Sequence, residues 1–169
     1  MRALFICLFF GLSMVVQAHP AKMTTIEGTD ISLHTKGHSF AGRIKNNLVS
    51  GYKVAGKFES YLTIIHDDSA TLKHFTQTEN ALLAGEGAAI LHFDQGKDTF
   101  ALQIGKSEYQ VAVSYESFSN NHFINPTYTL IKDAELYSFK IEGGAACIGY
   151  SAHLIIMIFG TLFDAFNVE

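Results

Sequence analysis

The sequence predicts a mainly β protein, an antiparallel barrel or sandwich with a short internal helix and a C-terminal apolar helix. Three observations predict it. Apolar and polar residues alternate in several short stretches between Tyr52 and Ile141, which is the period of strands with one face shut away from water. Gly, Asn and Asp clusters punctuate those stretches where turns are needed. A clear helical stripe appears only at the end, where Leu154, Ile155, Ile158, Phe159, Leu162, Phe163 and Phe166 recur on one face.

Residues 1–18 read as a secretory signal peptide. Arg2 supplies the positive start, Ala3 to Val16 is apolar apart from Gly11 and Ser13, and Val16-Gln17-Ala18 is a small-residue cleavage site. A periplasmic or secreted location follows as the expectation. The remainder is the size of one domain, with a β domain over 19–142 and the apolar helix of 143–169 packed on it. Cys7 belongs to the leader, so Cys147 is left without an internal disulfide partner.

The chain carries 12 Lys and Arg against 16 Asp and Glu, a formal net charge of −4. Removal of Arg2 with the leader leaves the exported chain slightly more negative. The acidic excess lies in the C-terminal half, where phosphates would be repelled, which argues against nucleic acid as a partner.

Residues 19–38 are polar and suit an extended arm or edge strand. From Tyr52 to Ile65, Tyr52, Val54, Phe58, Leu62 and Ile64 are expected on one face of a single strand, with Gly56 as a bulge. His66-Asp67-Asp68-Ser69 is a turn. Thr76-Gln77-Thr78-Glu79 has the form of a capping box, so the internal helix is placed at Thr76 to Gly85. Ala88 to Phe93 is a strand, ending in the turn Asp94-Gln95-Gly96-Lys97. Gly105-Lys106 suits a two-residue type II′ turn, a register that sets Leu102 opposite Tyr109 and Phe100 opposite Val111. Thr127–Lys132 and Glu135–Ile141 form a further pair.

Residues 143–163 hold no charge and are long enough for a membrane span. His153 in the middle, four glycines and the absence of Lys or Arg beyond it favour a helix docked on the sheet instead. Membrane contact through residues 143–166 is the alternative, which would make the protein an envelope-associated structural element.

Sites for chemistry are sparse. His92 and Asp94 share one strand face and are the best candidate metal pair, which would go with a metal-dependent hydrolase; the same reading applies more weakly to His66 with Asp68 and to His34 with His38. Cys147 follows a Gly-Gly-Ala-Ala approach suited to a thiolate, but its apolar surroundings fit a small core residue better. No motif calls for a cofactor. The stretch from Tyr115 to Tyr128 is different in kind, because it mixes aromatic residues with Ser and Asn, a composition that joins rigid contact area to adaptable hydrogen bonding. Tyr115, Phe118, Asn120, Asn121, His122, Phe123 and Tyr128 are therefore the expected contact residues. The functional expectation is a non-enzymatic binding protein for a small apolar molecule held inside the sheet, or for an envelope partner met through this loop.

Overall fold

The computed structural model describes residues 22–25, 31–78, 81–84, 89–93 and 99–166. The expected leader at 1–18 lies outside the described residues, as does the turn expected at 94–97. Among these residues, fifteen strands precede one helix. They are β1 (Lys22–Thr25), β2 (Ile31–Lys36), β3 (Ser39–Ile44), β4 (Asn47–Lys53), β5 (Glu59–His66), β6 (Ser69–Gln77), β7 (Ala81–Ala84) and β8 (Ala89–Phe93). After these come β9 (Thr99–Ile104), β10 (Ser107–Ser114), β11 (Ser117–Ser119), β12 (His122–Ile124), β13 (Thr127–Lys132), β14 (Glu135–Glu142) and β15 (Ala145–Cys147), then α1 (Ile148–Leu162). The protein is mainly β with antiparallel pairing and a C-terminal helix, as the alternation predicts.

Twelve strands hydrogen-bond in the order β1-β14-β13-β10-β9-β8-β7-β6-β5-β4-β3-β2. β1 pairs with β14 on one side and with β2 on the other, so the sequence of pairings returns to its start. The remaining three strands form a small sheet in the order β11-β12-β15.

Period-two patterning puts apolar side chains on the inner face of the ring. Leu33, Phe40, Ile44, Leu62, Phe75, Phe100, Leu102, Val111, Leu130 and Phe139 are all buried there. The β9–β10 hairpin has the predicted register, with Leu102 facing Tyr109 and Phe100 facing Val111. Gly105 lies at φ +57°, a value that suits Gly at the first central position of a II′ turn. On the outer face, Tyr52, Tyr61 and His74 are direct cross-strand partners. Their rings stack at 5.4 and 4.6 Å between centroids, an interaction that helps to pin the register of three neighbouring strands.

Two sequence expectations are corrected. The internal helix at Thr76 to Gly85 does not form among the described residues: β6 continues to Gln77, and Ala81–Ala84 is β7, paired with both β6 and β8. Four apolar residues are too few to propagate a helix past its costly first turn, whereas a two-sided ladder satisfies their backbone groups. Tyr52 to Ile65 is likewise two strands, β4 and β5, joined by a turn in which Gly56 adopts φ +69°. That turn resets the alternation. Leu62 points inward as expected, while Tyr52 and Phe58 lie outside at 47% and 69% exposure.

The helix is the core. Every residue from Tyr150 to Leu162 is buried, including Ser151, His153 and Thr161. A helix docked by one stripe would leave a wet face, and α1 has none. It meets strands from distant parts of the ring: His153 bonds to Ser60 of β5, Tyr128 of β13 to Ser151, and the Phe139 ring of β14 lies 5.3 Å from that of Phe159. On β4, a Cβ on Gly51 would collide with the Phe40 ring and crowd Met157, so that strand carries no side chain where those two fill the space. No described helix is long and apolar enough to cross a membrane.

Candidate functional site

The expected contact stretch folds as a hairpin at the end of the ring where α1 begins. Asn120 and Asn121, at φ +51° and +60°, are the central residues of a two-residue turn between Ser119 and His122, which face each other in register. Both left-handed positions are filled by the residue that tolerates that region best after Gly. His122 Nδ1 donates to the Asn120 carbonyl at 2.7 Å, closing the turn. Asn125 then ties the hairpin to the chain ahead of the helix. Its amide nitrogen donates to Glu116 at 2.8 Å, its side-chain oxygen accepts from Gly144 N at 3.1 Å, and its backbone N–H donates to the Gly144 carbonyl.

The seven predicted residues divide by face. Phe123 and Tyr128 point inward and are buried at 2% and 0% exposure. Tyr115 is half-buried, and its ring lies 5.0 Å from that of Phe123 and 6.0 Å from that of Phe118. Phe118 remains 45% exposed, and Asn120, Asn121 and His122 are exposed. An aromatic base thus carries a polar tip. β11 stands at the margin of the three-stranded sheet, with its outer side unpaired among the described residues.

Behind the hairpin, the first turns of α1 meet a buried polar seam that sequence reasoning missed. Cys147 is the N-cap and accepts from Tyr150 N through its sulfur at 3.4 Å. It is half-buried and unpaired, in keeping with a structural role rather than a solvent-facing nucleophile. Tyr128 and Ser151 hydroxyls bond at 2.7 Å. Burial pushes the Tyr128 phenol well above its ordinary range, with the Ser151 bond pulling the other way. Burial raises the Tyr150 phenol too, reinforced by Cys147.

His153 is fully buried. Desolvation first, then the charges of Lys53 and His38, lower its pKa to about 3. It is therefore neutral in the fold, with Nδ1 bonded to the Ser60 hydroxyl. The sequence signal is a lone His inside an uncharged run, but its partner lies 93 positions away.

The metal expectation finds little to build on. His92 is exposed on β8, and Asp94 lies outside the described residues. Among the described residues no three His, Cys, Asp or Glu side chains converge to hold an ion. The His66–Asp68 alternative falls at a turn, where His66 bonds to Asn47.

A scan of protein-family models, a search of curated proteins and a search of solved structures each return no match.

Proposed function

We propose that the chain is an exported, non-enzymatic binding protein whose ring of strands is a barrel packed around its own C-terminal helix, and that it meets an envelope partner through the 115–124 hairpin. The observation that carries this reading is the position of α1. A small apolar ligand would need the space among the inward side chains, and Leu154 to Leu162 occupy it. Recognition then moves to the outside of a rigid scaffold, where binding residues commonly sit on loops and short connecting hairpins. Phe118 offers an aromatic anchor, Asn120, Asn121 and His122 offer adaptable polar contacts, and the unpaired edge of β11 suits strand addition by an extended segment of the partner.

Two measurements test this. Native mass spectrometry of freshly isolated protein is expected to give the apo mass of a chain starting at residue 19. A stoichiometric apolar passenger would restore the interior-ligand reading and end this one. Cross-linking in intact envelopes is then expected to trap one partner, and Phe118→Ala with Asn121→Ala to reduce its yield about tenfold or more, while His74→Ala on the outer face leaves it unchanged. Equal trapping by all variants would contradict the assignment of the hairpin.

A further inference from the structure

At the opposite end of the ring, where α1 finishes, the chain folds back and encloses a cleft of about 410 Å³. Gly160 makes this possible, since any Cβ there would collide with the Phe166 ring lying over it. Phe166 continues edge-on against Phe75, with centroids 5.5 Å apart, and the return sets Asp164 at the rim with φ +56°. The other wall is built from the ends of β4, β5 and β6. Asn47, His66, Ser69, Thr71, Thr161 and Asp164 supply polar groups, and Ile64 and Phe166 the apolar surface.

We infer that this cleft is a binding site for a neutral polyhydroxylated molecule of saccharide type. The volume falls within the range of small-ligand pockets. Its chemistry excludes the other classes in turn. Polar and apolar surface line the cleft in about equal measure, so a purely apolar ligand would bury hydrogen-bonding groups that it cannot satisfy. An anion would meet Asp67 beside His66 at 3.5 Å, and Lys45, the nearby cation, is already paired with Asp164. A cation gains little from Asp164, because Lys45 already neutralises it at 3.3 Å.

What remains is a balanced set of hydrogen-bonding groups. The Asn47 carbonyl oxygen is engaged by His66 Nδ1 at 2.9 Å, so its amide nitrogen is the group left to donate. The Thr161 hydroxyl donates its proton to the Met157 carbonyl at 2.7 Å, so its oxygen is left to accept. Ser69 and Thr71 hydroxyls serve in either role. A sugar presents hydroxyls that both donate and accept, together with a C–H face that suits Ile64 and Phe166. Nothing in this site depends on the hairpin at the other end.

The experiment is a titration of the ¹⁵N-labelled processed protein followed by amide chemical shifts. Its probes are a panel of hexoses, N-acetylhexosamines and their disaccharides, with putrescine and sulfate as comparators. Saturable shifts confined to the amides of residues 47, 66, 69, 71, 161 and 164 are expected with at least one sugar. Asn47→Leu is expected to weaken binding about tenfold or more, as is Ser69→Ala, a substitution at the exposed first residue of β6. Gln103→Ala on β9 serves as the unaffected control. The inference is overturned if no sugar gives saturable shifts, if the shifts fall elsewhere, or if putrescine or sulfate reproduces them.

Discussion

At the scale of single residues, burial of His153 makes the fold sensitive to acid. Its folded pKa of about 3 lies below the ordinary 6.5, so between those values the unfolded chain takes up a proton that the fold refuses. Its contribution to stability is complete above about pH 6.5 and drains away as the pH falls towards 3, amounting to about 4–5 kcal/mol in all. Urea denaturation at a series of pH values checks this. Paired replacement by Ser60→Ala and His153→Leu is expected to flatten the profile in that window, whereas His153→Leu alone strands the buried Ser60 hydroxyl at a cost of about 1–3 kcal/mol. A second prediction concerns Gly51. Gly51→Ala drives a methyl into Phe40 and against Met157, and overpacking of this kind costs about 1–3 kcal/mol, readable as a lower urea midpoint with unchanged slope.

At the scale of elements, legibility follows the range of the interaction. The β9–β10 hairpin is readable to its register because Gly105 and the flanking alternation are local. The same holds for the Thr127–Lys132 and Glu135–Ile141 pair. β7 is misleading in sequence because Thr76 to Glu79 offers a good helix start, and only the ladders to β6 and β8 decide against it. The break between β4 and β5 is hidden because Tyr52, Val54 and Phe58 continue an even spacing across the turn. Within the hairpin, adjacent asparagines at 120 and 121 are a legible I′ signal that composition alone presents as a plain polar loop. Phe123 is legible as an aromatic that can tuck back onto the core, whereas the inward aim of Tyr128 is not, since it depends on α1 lying behind it. For the β9–β10 turn itself, Gly105→Ala places a methyl at φ +57°, and a thermal melt is expected to register a loss of about 1 kcal/mol.

At the scale of the whole molecule, ring and helix depend on each other. A circuit of strands with bulky inward side chains needs a filling, and an apolar helix with no polar face needs an enclosure. Phe159 is part of that filling, 1% exposed and packed against Phe139. Phe159→Ala is expected to cost about 3–5 kcal/mol, as measured by chemical denaturation. The C-terminal run is legibly apolar and helical in the sequence, but its choice between one face of a sheet, a bilayer and the inside of a ring is a property of the assembled circuit. The most direct measurement is amide hydrogen exchange, residue by residue. Enclosure of α1 predicts that the amides from Ala152 to Leu162 are the slowest in the molecule and exchange only on global unfolding. Exchange of those amides at the rate of the surface hairpins would show the helix to lie outside the ring, and would contradict the account.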